Sequence, residues 1–435
     1  MNLFHTADWH LGQSFHGQQR HFEHQHFLDW LLDTLAHRRP DALLIAGDIF
    51  DGVNPSLAAQ KLLYDFLVSA HERLPSLDIV MIAGNHDSGA RIELPAPLLE
   101  HLNVYARGRL YWREDGAPDC ERLLIPLTDQ WGKTRAWCLA LPFLRPSEVT
   151  GRSECQALKQ ENGDDRGGDG EAPTDPYVQG VTRVHEALIE AGRKRRRPGE
   201  ALIAMSHAHL HGARVSAQSE RPIVIGGEES LPATLFPEDI AYVALGHLHR
   251  PQRVGAERIR YSGAPVAMDF SEAGYVHQVL EVSVEGERLT RVESLPIPRP
   301  VALLRIGPEP LEQVLEALEA LSLETTDEEG GDDEKERGAW PWLEVSVTLK
   351  APRVDLRAQI EKALKGRAVR LASLRAQVAR DDNEASHPTP REALDPTALF
   401  ARVWQREYGD TPPCDVMSDF NALLQEIQDD EQECD

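Results

Sequence analysis

Short, mostly apolar runs recur along the chain between Asn2 and Leu245, and stretches with leucines at helical spacing separate them. Apolar runs of this length, bounded by polar or turn residues, predict buried strands. The five most prominent span residues 2–7, 42–46, 79–83, 201–205 and 241–245. Helical spacing follows the first run at Leu28, Leu31, Leu32 and Leu35, and the second at Leu62, Leu63, Phe66 and Leu67. This alternation predicts a layered α/β fold.

A polar motif follows each of the five predicted strands directly. In chain order the motifs are Asp8-Trp9-His10, Gly47-Asp48-Ile49-Phe50-Asp51, Gly84-Asn85-His86-Asp87, Ser206-His207 and Gly246-His247-Leu248-His249. Because ligands of α/β proteins bind outside the carboxyl ends of the strands, we expect the five motifs at one rim. Their Asp, Asn and His side chains suffice for two metal ions. Ligation without cysteine suits manganese, iron or zinc better than calcium or magnesium.

Two divalent ions at such a rim have a definite chemistry. A pair of ions about 3.5–4 Å apart binds a phosphodiester and stabilises both the attacking and the leaving oxygen. Two dications at that distance need a bridging anion, and Asp48, at the end of a predicted central strand, is the candidate bridge. Each motif alone is a weak predictor, whereas all five in order at strand ends strongly indicate a two-metal site.

The ordered motifs resemble those of the calcineurin-like metallophosphoesterase superfamily. Within it, residues 8–13, 84–88 and 242–250 are similar to the SbcD family, the nuclease subunits of bacterial SbcCD complexes. The similarity covers residues 1–143 and 200–275 and weakens beyond them. The resemblance implies a metallophosphoesterase β-sandwich flanked by helices and hydrolysis of DNA phosphodiesters. It also implies two divalent ions, manganese above all, and an SbcC-like coiled-coil ATPase as partner.

The resemblance also implies a role for individual side chains. In the family, one ion is held by the equivalents of Asp8, His10, Asp48 and His249. The other ion is held by the equivalents of Asp48, Asn85, His207 and His247. The equivalent of His86 is not a ligand, and it donates to the phosphate or to the leaving oxygen.

The fourth motif departs from the family pattern, which usually has glycine before the histidine where this chain has Ser206. His209 and His211 lie nearby and are alternative ligands. We favour His207 because it directly follows the predicted strand.

The second motif departs from the archaeal relatives, which carry histidine where this chain has Asp51. The role of that histidine in positioning the nucleophile or transition state therefore does not transfer to Asp51. We expect Asp51 and Asp87 to orient ligand histidines rather than to bind metal themselves, as carboxylates beside metal sites commonly do.

Beyond the motifs, the sequence divides into further segments. Residues 1–296 are the predicted nuclease domain, and within it residues 150–176 have the composition of a disordered insert. Residues 300–378 follow a proline-rich boundary and predict a small α+β domain, which the resemblance to the SbcD family implies is a capping domain. Residues 379–394 predict a linker, and residues 395–430 predict two short helices with apolar faces. These helices either dock on the partner or fold back on the core, and we favour docking.

The formal net charge of −25 argues at first against DNA as a partner. Most of it lies in three acidic segments, residues 161–175, 324–337 and 426–435, so the rest of the chain is only mildly acidic. The sequence has no broad basic stripe of the kind that drives strong binding by counterion release. We therefore expect the chain alone to bind DNA weakly and the ATPase partner to supply part of the affinity.

Five scattered cysteines without a Cys-x-x-Cys pair indicate reduced thiols in a cytosol. We expect no membrane span, because no apolar run approaches about 18 residues, and no signal peptide. The prediction is a cytoplasmic nuclease subunit that forms a homodimer within a heterotetramer. The alternatives are a phosphatase or cyclic-nucleotide phosphodiesterase with the same motifs, and a non-catalytic subunit that tethers DNA ends for its ATPase.

Overall fold

The apolar runs that precede the five motifs all form strands in the structure, a computed structural model. It describes residues 1–149, 176–216, 230–321 and 338–378, together with Phe400, Trp404, Pro413, Val416, Met417 and Phe420. The predicted insert except for Pro176, the predicted linker and most of the two predicted C-terminal helices lie outside the described residues.

The strands are numbered here in chain order. They are β1 Asn2–Thr6, β2 Ser14–Phe15, β3 Gln18–Gln19, β4 Ala42–Ala46, β5 Asp78–Ile82, β6 Val104–Arg107, β7 Leu124–Thr128, β8 Thr134–Ala140, β9 Ala201–His207, β10 Tyr242–Gly246, β11 Gln252–Arg253, β12 Ile259–Tyr261, β13 Gln278–Glu285, β14 Arg288–Pro296, β15 Leu303–Pro310, β16 Trp342–Leu349 and β17 Arg370–Val378. Three motifs follow β1, β4 and β5, the fourth forms the last two residues of β9, and the fifth begins with the last residue of β10.

The α-helices are α1 His21–Arg38, α2 Leu57–Arg73, α3 Gly89–Glu93, α4 Ala96–Leu99, α5 Pro146–Val149, α6 Pro176–Arg195, α7 Leu311–Glu319 and α8 Leu356–Ala363. Pro176, predicted as the last residue of the insert, begins α6, where proline is well tolerated because the first helical N–H has no partner. Among the helices of the described residues, none is long and apolar enough to cross a membrane.

Two six-stranded sheets face each other across one apolar core. The first has the order β14-β13-β1-β4-β5-β6, with β1, β4, β5 and β6 parallel. The second has the order β11-β12-β10-β9-β8-β7, with β8, β9, β10 and β12 parallel. Leu44 and Val80 of the first sheet share this core with Ile203 and Tyr242 of the second. The predicted β-sandwich is confirmed.

Helices cover the outer face of each sheet. Phe27 and Leu31 of α1 and Phe66 of α2 are buried in the core on the first sheet, and Val184 and Leu188 of α6 in the core on the second. Full burial of such a side chain contributes about 1.5–3 kcal/mol, so the leucine spacing that predicted these helices also fixes their packing faces.

Residues 303–378 add a third sheet, in which β15, β16 and β17 are all parallel. Parallel neighbours need crossover connections, and α7 lies between β15 and β16 while α8 lies between β16 and β17. Val314 of α7 and Ile360 of α8 share one core with Leu343 and Val345 of the middle strand. Strands and helices therefore alternate along this segment.

The third sheet is seated on the sandwich. Trp342, the first residue of β16, is fully buried and packs in one apolar cluster with Phe15 and Phe270. Contacts accordingly group Met1–Val378 into one compact unit. The domain boundary at residues 296–300 stays a prediction.

Ala379–Asp435 forms a second unit, of which six residues are described. Within it, the Phe400 ring stacks on Phe420 with centroids 4.0 Å apart, and the Trp404 ring lies 5.9 Å from Phe400. An aromatic cluster therefore joins the two segments predicted to form the C-terminal helices.

Candidate metal centre

The five motifs meet at one edge of the sandwich, where strands from both sheets end. β4 of the first sheet contacts both β9 and β10 of the second, which places the loop after β4 at the junction. Six of the candidate residues are buried: Asp8, His10, Asp48, His207, His247 and His249. Asn85 and His86 are partly exposed, so the centre is open to solvent on the side of the loop that follows β5.

Two clusters of ligand atoms share Asp48. His10, Asp48 and His86 form one, and Asp48, His207 and His247 form the other; within each, the ligand atoms all lie within 4.8 Å of one another. Asp48 Oδ2 is 3.6 Å from His10 Nε2 and 3.4 Å from His207 Nε2. A carboxylate that belongs to both clusters is what a bridge between two ions requires.

The remaining candidate ligands border these clusters. Asn85 Oδ1 lies 2.9 Å from His207 Nε2 and 3.2 Å from His247 Nδ1. The His249 ring centroid is 5.1 Å from that of His10. Asp8 Oδ1 accepts a hydrogen bond from the backbone N–H of His247 at 2.8 Å, a contact that links the first motif to the last.

His207, rather than His209 or His211, lies in the centre. It is buried, and its Nδ1 donates to the Ala46 carbonyl at 2.9 Å, which turns Nε2 towards Asp48. The His209 ring is 6.5 Å from that of His247, and His211 is exposed beside Ser230. His207 therefore lies against the first sheet because it is the last residue of β9, whereas His209 and His211 follow the strand.

Buried polar atoms point to an ion. Among the described residues, the buried side-chain atoms without a hydrogen-bond partner include Asp8 Oδ2 and His10 Nε2. An unsatisfied buried carboxylate oxygen costs several times what a neutral group costs, unless a cation compensates it. Oxygen and imidazole donors with unused lone pairs at one position fit divalent transition metals.

Burial and opposite charges compete in setting the protonation of the cluster. Burial alone would raise the pKa of Asp48, but His207 and His10 hold it well below its usual range. Burial alone would lower the pKa of His207, but the carboxylates of Asp48 and Asp8 raise it to about 9. Burial also lowers the pKa of His247 well below its usual range and raises that of Asp8 to about 7. An ion held by His207 would compete with a proton for that ring.

Four candidate ligands have left-handed backbone conformations. The φ angle is 56° at Asp8, 45° at His10, 47° at Asp48 and 99° at His247. Residues other than glycine rarely adopt such angles, and the strain is concentrated where a site needs it. Gly84 permits the close approach of the loops, because a Cβ atom there would collide with the Asp48 carboxylate.

Comparison with known proteins identifies the family. The family model described as calcineurin-like phosphoesterase matches residues 1–251, and the model described as type 5 capsule protein repressor C-terminal domain matches residues 298–408. The SbcD subunit of the SbcCD nuclease of Rhodobacter capsulatus is 38% identical over 410 residues, which cover 93% of this chain and 94% of that protein. The chain belongs to the SbcD family of calcineurin-like phosphoesterases.

Two further proteins are similar to this chain, one in sequence and one in structure. The SbcD subunit of the SbcCD nuclease of Escherichia coli is 32% identical to this SbcD-family chain over 316 residues, which cover 70% of this chain and 71% of that protein. The crystal structure of a dimetal phosphatase from Danio rerio aligns with 68% of this chain and 99% of its own, at 12% identity and a TM-score of 0.35.

Asp87 in this SbcD-family chain orients backbone rather than a ligand histidine. Its carboxylate accepts hydrogen bonds from the N–H groups of Ile49 at 3.0 Å, Phe50 at 2.9 Å and Gly84 at 2.9 Å. The prediction that Asp87 orients a histidine is wrong. These three bonds tie the loop after Asp48 to the next motif, so Asp87 fixes the candidate bridge through the main chain.

Asp51 lies beside two histidines of the centre. Its Oδ1 is 3.5 Å from His10 Nδ1, where it can orient that ring. Its carbonyl oxygen accepts a hydrogen bond from His86 Nδ1 at 2.9 Å. A carbonyl only accepts, so His86 Nδ1 carries a proton, and Nε2 carries a second one only when the ring is positively charged.

Sequence reasoning missed Glu272, which touches a candidate ligand. Its Oε1 lies 3.2 Å from His249 Nδ1, and the residue is fully buried. It ends a short 3₁₀ turn, Phe270–Glu272, in a segment without a motif. Nothing in the local pattern distinguishes this glutamate from the many others, so only the tertiary contact reveals it.

Proposed function

We propose that the chain is the nuclease subunit of an SbcCD-type complex and hydrolyses DNA phosphodiesters, by double-strand exonuclease and single-strand or hairpin endonuclease activity. The observation that carries the proposal is the pair of ligand clusters sharing Asp48. It occurs in a chain that aligns over 93% of its length with a relative named as the SbcD subunit of an SbcCD nuclease. In this role the chain serves DNA repair and recombination.

Two divalent ions would be held by seven side chains. We assign one ion to Asp8, His10, Asp48 and His249, and the other to Asp48, Asn85, His207 and His247. When bound, the ions supply Lewis-acid stabilisation of the attacking and leaving oxygens of a phosphodiester. The protein fixes the ligands through strained backbone at four of them and through three hydrogen bonds. His207 Nδ1 donates to the Ala46 carbonyl, the His247 N–H donates to Asp8, and the His86 N–H donates to Asp48.

His86 is the proposed catalytic residue, with the role of donating to the phosphate or leaving oxygen. Its backbone N–H donates to Asp48 Oδ1 at 2.9 Å, and its Nδ1 donates to the Asp51 carbonyl. These two bonds fix the ring beside the shared carboxylate while leaving Nε2 for the substrate. His86 also belongs to a ligand cluster, so metal binding is the competing role.

Manganese is the proposed ion. The assigned set contains imidazole, carboxylate and amide donors and no thiolate, which suits manganese, iron or zinc rather than calcium or magnesium. Manganese is the member of this group with the strongest preference for oxygen donors, and the shared Asp48, Asp8 and Asn85 provide them.

One assay separates the proposal from its alternatives. The purified chain is tested with manganese on linear duplex DNA, hairpin DNA and a chromogenic phosphodiester, with and without an SbcC-like ATPase. Cleavage of all three, with duplex cleavage stimulated by ATP and the partner, is the expected result. Cleavage of the small ester alone would favour a phosphatase or cyclic-nucleotide phosphodiesterase, and metal binding without any cleavage would favour a tethering subunit.

The C-terminal unit is the proposed docking element for the coiled-coil ATPase. Phe400, Trp404 and Phe420 cluster within it and each remains partly exposed. Buried aromatic side chains are the usual centres of binding energy at protein interfaces. A partner also compensates for the acidic net charge of −25, because the ATPase can supply DNA contacts that this chain lacks.

Truncation after Ala385 is expected to spare manganese-dependent cleavage of a small phosphodiester but to abolish stable association with the ATPase. Trp404→Ala alone should weaken the complex by about 2 kcal/mol, the threshold of an interface hot spot. Sedimentation or pull-down with the ATPase measures both variants, and Trp131→Ala, at a Trp that is 77% exposed on the sandwich, is the matched control. Undiminished association together with a lower melting temperature would make the tail an internal brace instead.

A homodimer within a heterotetramer is the proposed assembly, and an exposed apolar patch supports it. Leu94 and Leu98 are 81% and 74% exposed, and Leu57 is 85% exposed. The bond from Arg91 to Asn54 at 2.8 Å brings the segments that carry these leucines together. Large exposed apolar side chains on neighbouring segments are typical of an interaction surface, and a two-fold axis would pair this surface with its copy.

Leu94→Glu combined with Leu98→Glu is expected to shift the purified chain from dimer to monomer, because a buried unpaired carboxylate is costly at an apolar interface. Light scattering after gel filtration measures the mass. The control is Val354→Glu, because Val354 is fully exposed in the connection between β16 and α8. A double variant that stays dimeric would place the interface elsewhere.

The cytoplasm is the proposed location. Cys120 and Cys138 are both free thiols in the described part of the chain, and the sequence contains no Cys-x-x-Cys motif. Reduced thiols of this kind suit a compartment that keeps cysteines reduced. Fractionation of cells that express the chain tests this proposal, and recovery in a membrane or secreted fraction would contradict it.

A further inference from the structure

His249 is held by a carboxylate that has a partner on each oxygen. Glu272 is fully buried. Its Oε2 accepts the Met268 N–H at 2.8 Å, and its Oε1 lies 3.2 Å from His249 Nδ1. A carboxylate only accepts, so His249 Nδ1 carries the proton and Nε2 keeps its lone pair. Nε2 is then the ring atom with the lone pair that metal binding requires.

The segment that positions Glu272 is itself held by a buried arginine. Arg20 is 2% exposed. Its guanidinium donates to the Ala267 carbonyl at 2.5 Å and to Gln13 Oε1 at 2.8 Å. Gln13 Nε2 in turn donates to the Met268 carbonyl at 3.4 Å. Arg20 therefore fixes both peptide units around the Met268 N–H that orients Glu272.

Arg20 is paired with a glutamate that also binds the third sheet. Glu23 is 4% exposed and accepts hydrogen bonds from Arg20 at 3.1 Å and 2.6 Å. Its Oε1 also accepts the indole N–H of Trp342 at 2.8 Å. A buried ion pair needs additional hydrogen bonds to satisfy the remaining lone pairs of its carboxylate. The hydrogen bond from Trp342 therefore links the Arg20–Glu23 pair to the packing of the third sheet on the sandwich.

We propose that Glu272 is a positioning residue that holds His249 in its metal-binding tautomer, and that Arg20, Glu23 and Trp342 make this support depend on the seated third sheet. The inference deepens the proposed two-metal function and rests on it. Glu272 acts only through His249, by fixing its ring and proton. Metal affinity at this ligand is thereby tied to Trp342, a residue of the third sheet.

Glu272→Gln tests the local end of the network. A glutamine has one acceptor oxygen, and the Met268 N–H keeps it, so the amide NH₂ faces His249 Nδ1 and drives the proton to Nε2. We expect the affinity for one of two manganese ions to fall about 10- to 100-fold in calorimetric titration of the full chain. The absorption spectrum of the cobalt-loaded chain should change as well, which a merely structural loss would not cause.

Trp342→Phe tests the remote end, because it removes only the indole N–H. We expect a roughly three- to tenfold loss of affinity at the same manganese site, the size of one hydrogen bond. The double variant should bind no more weakly than Glu272→Gln alone, since both changes act through His249. The controls are Trp131→Phe, at an exposed tryptophan, and Glu344→Gln, at a buried glutamate in the third sheet. Neither substitution should change the manganese affinity.

Suppose that the wild-type chain binds two ions and that Glu272→Gln changes neither the manganese affinity nor the cobalt spectrum. This result would overturn the inference but would leave the proposed function intact. An effect of Trp342→Phe that is absent, or that adds in full to that of Glu272→Gln, would overturn it too. A wild-type chain that binds no manganese would overturn the proposed function as well.

Discussion

Asp48→Asn is expected to lose both metal ions and with them all measurable hydrolysis of phosphodiesters. Asp48 is the one side chain shared by the two ligand clusters, and its charge offsets the repulsion between two dications. Asparagine keeps the shape of the residue and tolerates the left-handed backbone at φ 47° better than alanine. The change therefore isolates the charge. Metal content by calorimetric titration and turnover of a chromogenic phosphodiester measure the two losses.

The control for this variant is Asp239→Asn, which removes a carboxylate that pairs with Arg193 on the surface. It should bind two ions and retain activity. Asp48→Ala should lose ions and activity as Asp48→Asn does. Two bound ions with full activity in Asp48→Asn would remove Asp48 from the role of bridge and the proposed mechanism with it.

His86→Gln is expected to retain both ions while turnover falls by about 10²- to 10⁴-fold, the usual contribution of a proton donor. The reason is the proposed role: His86 donates to the phosphate or leaving oxygen and completes no ion's ligand set. Glutamine retains a hydrogen-bonding side chain of similar reach but cannot deliver a proton as imidazolium does. Metal content and turnover are measured on the same preparation.

His10→Gln provides the comparison that gives the His86 result its meaning. Both histidines belong to the same cluster, and their ring centroids are 4.8 Å apart. As an assigned ligand, His10 should lose metal when it is replaced. If manganese occupancy falls as far in His86→Gln as in His10→Gln, His86 is a ligand, and the proton donor has to be sought elsewhere.

The sequence by itself determined the strands that carry the site. Asn2–Thr6, Ala42–Ala46 and Tyr242–Gly246 lie within one residue of the runs predicted from apolar patterning. Buried strands and amphipathic helices leave such patterns because each residue's burial depends on its position along a regular element. The polar motif after each strand was equally visible, which is why the candidate ligands could be named in advance.

The tertiary structure alone decided which atoms meet. Motifs from two sheets converge only because β4 packs against β9 and β10, and no local pattern encodes the distance between elements remote in sequence. The same packing brought His207 into one cluster with Asp48 and His247 and left the His209 ring 6.5 Å from that of His247. It also directed Asp87 to backbone N–H groups and placed Glu272 on His249. These contacts depend on loop conformations, including left-handed residues, that periodicity leaves undetermined because only packing against the opposite sheet stabilises them.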